Sequence, residues 1–440
     1  MSRLIRNADV RRCTLAFVTI FTGAAGHAHA QTPDTVTFTL DEVVRRAVLN
    51  SPQVVQAQGA VQTAGASELS AIGSFLPNLN ISSGAALSST QRFDSNTNTV
   101  VSGSSDSYNA GLSSSIDLFT GGRRGADLAR TRSQTAASEA ALVEQRFAVT
   151  RNVKAGYFDV LRASDLIRSA EARLTRAQES LDAAERRSQV GSATRSDVLR
   201  AQLEVTNSRQ ALLQGHNQKR SSMFALGRLT GIDGPVDARV DQPLVVAELP
   251  LSREQLLELV LAQSPAVLTA QANERTAGAS VRAARAQYLP SLSGSGSYSW
   301  SNEAASFNNV RSSWSMRLGL SFPLFNRFQR EESVERTQVQ ARIAEYQLAD
   351  ARRAARANLE RVLGTLETAR QQIALAEQAL GVAEEDLRVQ QERYRLGVST
   401  ILDQVTSQEN LVGAEADLIA ARYDYQLALA DLSALIGRDL

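Results

Sequence analysis

The spacing of hydrophobic positions changes several times along the chain. Between Leu348 and Leu387, apolar residues recur every three or four positions, a pattern typical of a helix that packs along another helix. In "NLNISSGAAL" and "SLSGSGSYSW" the period falls to two, because apolar residues alternate with serine, asparagine and glycine. A period of two predicts a strand with one apolar and one polar face. The pattern therefore predicts long helices combined with a few strands.

The same order of elements occurs twice. "TAGAS" is present in two copies, and so are the Leu-Pro sequences that precede the strands. A repeating unit of this length predicts two fused copies of one structural half. The matched positions, 213 residues apart before the strands and 206 apart after them, are Thr63 with Thr276, Phe75 with Tyr288, Asp117 with Pro323, and Gly191 with Gly397. We assign the seven-residue difference to the polar loops between strands, Gln91 to Asp106 and Ser301 to Ser312.

Proline and glycine positions set the expected boundaries. The stretch 123–189 holds 67 residues without proline, which corresponds to about 100 Å of helix. A shorter antiparallel helix follows the long one. The summed length of this helix and of the helix before the strands nearly equals the length of the long helix. The predicted parts are a first repeat at 31–231 with a strand hairpin at 78–119 and a helical hairpin at 123–229, a linker at 232–252, and a second repeat at 253–440 with hairpins at 291–325 and 327–436.

Four isolated strands need a partner. A two-stranded hairpin is marginal in water, and its open edges leave NH and C=O groups unpaired. Each segment is about 10 to 13 residues, the length of a tilted strand that crosses a bilayer. Sheets in lipid must close, and three chains would supply twelve strands to one barrel. After residue 30 no apolar run approaches the length of a spanning helix. The predicted fold class is mainly α with a transmembrane β-barrel formed by a homotrimer.

Aromatic residues support this interpretation. They lie at or near the predicted strand ends, where membrane barrels carry interfacial girdles. These residues are Tyr108, Phe119, Tyr298, Trp300, Trp314 and Phe322. The alternative is that they pack the core of a soluble sandwich. In the membrane interpretation the serine-rich faces, with Arg317 among them, line a water-filled lumen.

Composition excludes several kinds of site. Residues 1–30 combine four arginines, an apolar stretch and "AHA", which predicts a secretory signal peptide. Its removal changes the formal charge from +1 to −2, since four Arg and one Asp leave, so a surface for nucleic acid is not expected. The single cysteine, Cys13, leaves with it, and His216 is then the only histidine. We therefore expect no disulfide, metal site or cofactor.

The two turns that end the long helices share one arrangement. A glycine is followed by threonine three residues later and by aspartate three residues after that. Glycine supplies the left-handed residue that ends a helix, while threonine and aspartate cap the next one. The residues are Gly191, Thr194 and Asp197 in the first repeat, and Gly397, Thr400 and Asp403 in the second.

Taken together, these motifs resemble the TolC family of outer-membrane efflux and secretion channels. The resemblance covers the mature chain and depends on "FLPNLN", "YLPSLS", "DLFTGGRR", "PLFNRFQR", "GYFDVL" and the two turns in register. It implies a homotrimer whose 12-stranded barrel in the outer membrane continues into a long α-helical barrel in the periplasm. The inner end would open when a periplasmic adaptor and an inner-membrane transporter of the RND or ABC type engage it.

The resemblance also implies a gate at the turns, which would be the contact site for the adaptor. Tyr394 would reach Asp197 on the neighbouring hairpin, and three copies of Asp403 would ring the axis. Ser399 and Thr406 stand where the family has an arginine link and a second aspartate ring. The closure would then be weaker, or use Arg195 or Arg395.

Other classes of protein explain less of the sequence. A periplasmic adaptor normally has one helical hairpin flanked by β-rich domains, whereas two hairpins are predicted here. A soluble helical scaffold leaves the alternating strands unexplained. An enzyme is the least favoured class, because no Ser/His/Asp set, metal cluster or phosphate loop is present in the sequence. The predicted function is the exit duct of a tripartite efflux or type I secretion system.

Overall fold

The computed structural model describes residues 36–94, 98–240, 251–303 and 311–438. The predicted signal peptide at 1–30 and residues 241–250 of the predicted linker lie outside these ranges. The elements in chain order are β1 (Val36–Phe38), α1 (Leu40–Asn50), α2 (Pro52–Gly73), β2 (Asn78–Asp94), β3 (Thr99–Phe119), α3 (Arg123–Gln189), α4 (Arg195–Thr230), β4 (Val236–Ala238), α5 (Arg253–Gln263), α6 (Pro265–Arg285), β5 (Ser291–Asn302), β6 (Arg311–Ser321), α7 (Gln329–Arg395) and α8 (Ile401–Ile436).

Helices dominate, and they occur in matched pairs. α3 and α7 have 67 residues each, while α4 and α8 have 36 residues each. α3 with α4 and α7 with α8 form two helical hairpins, so the predicted fold class, mainly α with a small number of strands, is confirmed. Within the described ranges, no helix combines the length and the apolar character that crossing a membrane requires.

The duplication extends to the hydrophobic cores. One core lies where α1 and the start of α2 pack on α3 and α4, and the other where α5 and α6 pack on α7 and α8. Buried residues of the two cores correspond at the two spacings found in the sequence: Val43 with Leu256, Ala47 with Val260, Val54 with Val267, Val153 with Leu359, and Leu226 with Leu432. The two repeats therefore share their packing as well as their order of elements.

The second repeat packs on α3 through α6 and α8, and several polar side chains take part in the contact with α8. Tyr423 Oη donates to Asp165 Oδ2 at 2.8 Å, and Arg151 Nε donates to Asp431 Oδ1 at 2.7 Å. Nearer the turns, Gln408 Nε2 donates to the carbonyl of Arg173 at 3.1 Å. Burial and the hydrogen bond to Asp165 raise the pKa of Tyr423. This contact fixes the register of the second hairpin on the first.

The four long strands form one antiparallel sheet in the order β2-β3-β5-β6. Pairing brings Leu112 opposite Ile81 on one side and Tyr298 on the other, and Tyr298 opposite Trp314. The apolar positions of all four strands therefore share one face, as their alternation predicts. This face is uncovered, since Ile81 is 85% and Met316 is 83% exposed. On the other face Ser297 bonds to Ser315 and Ser299 to Ser313.

The predicted loop from Gln91 to Asp106 is wrong. β2 continues to Asp94 and β3 begins at Thr99, with continuous pairing from Asn78 with Ser115 to Asp94 with Thr99. These strands satisfy each other's backbone groups without needing an apolar face, so alternation does not reveal them. The loop of the second repeat agrees better with its prediction, because β5 ends at Asn302 and β6 begins at Arg311.

A second, parallel sheet was not predicted. β1 pairs with β4, and Val36 lies opposite Val236. Each strand has three residues, too few for a period to emerge. This pair ties the start of the first repeat to the segment that follows α4.

Candidate functional site

The two turns at the hairpin tips have the same hydrogen bonds. Thr194 Oγ1 accepts from the Asp197 amide at 3.2 Å, and Asp197 Oδ2 accepts from the Thr194 amide at 2.9 Å. Thr400 and Asp403 repeat the arrangement at 3.3 and 2.9 Å. Gly191 and Gly397 adopt φ of 76° and 80°, the left-handed region that glycine occupies without strain. The turns therefore contain two complete capping boxes.

The caps lower the pKa of both aspartates. The main cause for Asp197 is its hydrogen bond from the Thr194 amide, and for Asp403 the bond from the Thr400 amide. A carboxyl with a depressed pKa stabilises the fold above its unfolded value of about 4 and loses this contribution as the pH falls through the lowered pKa. Both aspartates are therefore ionised at neutral pH.

Replacing Thr194 with alanine should destabilise the start of α4 by about 1 kcal/mol, because the Asp197 amide loses its acceptor. Hydrogen exchange of the amides in the first turn of α4 measures this change. Thr194→Ser is the matched control, since it keeps the hydroxyl and should exchange as the wild type does. Equal exchange in the alanine and serine variants would contradict the assigned cap.

Within the described chain, Tyr394 and Asp197 do not form the hydrogen bond that the resemblance implies. Tyr394 Oη is buried without a hydrogen-bond partner in the described part of the chain, because Asp197 is held by the cap of its own helix. Arg187 makes the cross-hairpin contact instead. Its guanidinium carbon lies 4.5 Å from the centre of the Tyr394 ring, and it donates to the carbonyls of Tyr394 and Ser192. Arg395, proposed as an alternative link, pairs with Glu392 at 2.9 Å on its own helix.

An open cavity separates the two hairpins beside this contact. Its volume is about 770 Å³. The charged residues that line it are Arg176, Glu179, Arg186, Arg187, Glu392 and Arg395. Sequence patterns do not indicate this cavity, because it depends on how α3 packs against α7 and α8.

The predicted interfacial aromatics lie at two levels of the sheet. Tyr298 and Trp300 contact each other with ring centres 4.5 Å apart, and the register puts Trp314 opposite Tyr298. Tyr108 is at the same end, opposite Asn302. Phe322 follows the last residue of β6 at the helical end. Eight residues separate Trp314 from Phe322, about 26 Å along a strand, which is close to the apolar height of a membrane barrel.

The described residues contain no group of three or more His, Cys, Asp or Glu side chains arranged to hold a metal ion. At the tip, Asp197 and Asp403 form helix caps and Arg395 pairs with Glu392.

Sequence comparison identifies relatives over nearly the whole chain. A family model described as outer membrane efflux protein matches residues 43–232 and 256–438, one segment in each repeat. The pyoverdine export outer membrane protein OpmQ of Pseudomonas aeruginosa is 29% identical over 414 residues, which cover 90% of this chain and 83% of that protein. The outer membrane protein TolC of Vibrio cholerae is 24% identical over 417 residues, 90% of each chain.

Solved structures show the same fold. A structure of CusC matches with a TM-score of 0.81 and 21% identity, covering 91% of this chain and 92% of that one. The open state of the MtrE outer membrane channel of Neisseria gonorrhoeae matches with a TM-score of 0.78 and 20% identity, covering 91% and 89%.

Proposed function

This chain belongs to the outer membrane efflux protein family, and from that premise we propose that three copies form one exit duct through the outer membrane. The protein is an outer-membrane efflux channel, and its family consists of channel proteins. The proposed duct joins a twelve-stranded barrel to a periplasmic tube built from six helical hairpins. A periplasmic adaptor and an inner-membrane transporter of the RND or ABC type would deliver the substrate to the tips.

The main support for this proposal is that the sheet has two open edges, β2 and β6. Within the chain, β3 of the first repeat pairs with β5 of the second. In the internal duplication, β6 of the second repeat occupies the position that β3 has in the first. Likewise, β2 of the first repeat occupies the position that β5 has in the second. The equivalent pairing therefore joins β6 of one copy to β2 of the next, which leaves no edge once the ring closes.

The helices support the same ring. α3 contacts α8 within the chain, and the equivalent contact joins α7 of one copy to α4 of the next. Leu213 on α4 is 66% exposed, yet its counterpart Ile419 on α8 packs against the core of the first repeat. Leu375 on α7 is 65% exposed, and its counterpart Ser169 bonds to Glu415 of α8. A neighbouring copy would cover both leucines.

Cysteine cross-linking tests this arrangement directly. Leu375 and Arg209 correspond to Ser169 and Glu415, so the double variant Leu375→Cys with Arg209→Cys should form disulfides between copies. We expect cross-linked dimers and trimers on a non-reducing gel of outer membranes. Each single variant is a control that should give no cross-linked dimer or trimer bands. A double variant that remains a monomer under oxidation would contradict the ring.

We propose that the tips close the periplasmic end and contact the adaptor. The proposed surface comprises Gly191, Thr194, Asp197, Tyr394, Gly397, Thr400 and Asp403. Arg187 supports this role because it links the two tips of one chain. Three copies of Asp403 would surround the axis, so Asp403→Ala should alter conductance or block by cations while the trimer stays intact.

Arg187→Ala should increase the conductance of single channels in planar bilayers, because the contact with the Tyr394 ring and the hydrogen bond to the Tyr394 carbonyl, which join the two tips, disappear. The matched control is Arg388→Ala. Arg388 is an exposed arginine that pairs with Glu385 on its own helix. The control should conduct as the wild type does. Unchanged conductance in Arg187→Ala would count against a closing contact at this arginine.

A further inference from the structure

Unpaired polar atoms cluster in the cavity between the two hairpins. Within the described part of the chain, eight buried side-chain atoms lack a hydrogen-bond partner, and five of them belong to residues that line this cavity. These five atoms are Nε and Nη2 of Arg176, Oγ of Ser180, Oη of Tyr394 and Oε1 of Gln404. Native proteins rarely leave such groups unpaired, so the concentration points to a bound molecule.

Three of the residues lie at one level of the cavity. Arg176 and Ser180 are one turn apart on α3. The bond from Gln408 to the carbonyl of Arg173 fixes the register of the antiparallel helix α8. Gln404 is one turn closer to the tip than Gln408, which brings it to the level of Arg176 and Ser180. Ser180 is 8% and Gln404 is 6% exposed.

The chemistry of these atoms selects an oxyanion. Nε and Nη2 form one edge of the Arg176 guanidinium, and their two N–H groups match two oxygens of a carboxylate or phosphate. Ser180 can donate a third hydrogen bond. Arg176 Nη2 lies 3.5 Å from Glu415 Oε1, a charge contact without a hydrogen bond. With Glu415 included, the cavity still has four arginines against three glutamates.

Gln404 further restricts which oxyanion the site would bind. Its unpaired atom is the amide oxygen, which accepts a hydrogen bond and cannot donate one. A ligand that suits all three residues therefore has acceptor oxygens and also a hydroxyl proton. At neutral pH inorganic phosphate carries such a proton, whereas sulfate does not.

We propose that Arg176, Ser180 and Gln404 form a binding site for a protonated oxyanion such as phosphate. This site goes beyond the proposed duct, because it lies between the two hairpins of a single chain. Arg176 holds two oxygens, Ser180 donates to an oxygen, and Gln404 accepts the hydroxyl proton. Occupation would satisfy four of the five unpaired atoms.

Isothermal titration of the detergent-purified protein with inorganic phosphate at pH 7 tests the site. We expect saturable binding, with sulfate at least tenfold weaker. Arg176→Lys keeps the charge but loses the paired N–H edge, and should weaken phosphate binding at least tenfold. The matched control Arg388→Lys changes an exposed arginine away from the cavity and should bind phosphate as the wild type does.

Gln404→Glu is a second test. It preserves size but faces the ligand with a negative charge, so it should abolish phosphate binding while the protein still elutes as the wild type does in size exclusion. Absence of saturable binding in the wild type, or equal binding in Arg176→Lys and Arg388→Lys, would overturn the site. Either result leaves the cross-linking test of the duct unaffected, so the two proposals fail separately.

Discussion

Leu318→Arg is expected to remove the assembled channel from the outer membrane. Leu318 is 74% exposed on the apolar face of β6, opposite Gly294 of β5. An arginine on the lipid face near the middle of a membrane barrel costs about 2 to 4 kcal/mol, and a trimer would contain three of them. Trimer in the outer-membrane fraction, measured as a heat-sensitive band on a gel, should fall to a small part of the wild-type amount.

Ser315→Arg is the matched control for this variant. Ser315 lies on the same strand, but its side chain is on the opposite, serine-rich face and bonds to Ser297. The trimer should persist in this variant while its conductance changes, because the new charge enters the lumen. If Leu318→Arg assembles as well as Ser315→Arg does, the apolar face does not contact lipid.

Gly227→Ala should destabilise the first repeat by about 3 kcal/mol through overpacking. A methyl group at Gly227 would lie 2.1 Å from the Gly234 carbonyl oxygen and 3.2 Å from that of Ile232. Both are backbone atoms, so the segment between α4 and β4 would have to move. The midpoint of thermal unfolding in detergent should fall by several degrees.

Gly364→Ala provides the comparison. Gly364 lies in α7, and a methyl group there meets no atom within 4 Å. Alanine stabilises an exposed helix interior by about 0.5 to 1 kcal/mol relative to glycine, so this variant should be as stable as the wild type or more so. If Gly227→Ala and Gly364→Ala have the same midpoint of thermal unfolding, the segment after α4 accommodates the extra methyl group without loss of stability.

Periodicity predicted much of the fold. The alternation in "SLSGSGSYSW" identified both the strand and its apolar face, since side chains on a strand alternate strictly. The spacing of glycine, threonine and aspartate identified the caps at Thr194 and Thr400, because a cap is a local structure within four residues.

Features that depend on tertiary contacts were missed. The extensions of β2 and β3 are stabilised by each other's backbone and have few apolar residues. Arg187 is one of several arginines near the end of α3, and only the packing of the second hairpin brings it to Tyr394. The cluster at Arg176 likewise depends on the register between α3 and α8. The contacts of Arg187 and of the Arg176 cluster join residues more than 200 positions apart.

The polar contact between α3 and α8 has a consequence for the ring. Its bonds involve charged groups such as Arg151 with Asp431, whereas the proposed contact between copies includes Leu213 and Leu375. High ionic strength screens charge pairs, and sulfate salts strengthen apolar association. Concentrated sulfate should therefore weaken the charge pairs between α3 and α8 while it strengthens the proposed apolar junctions between molecules.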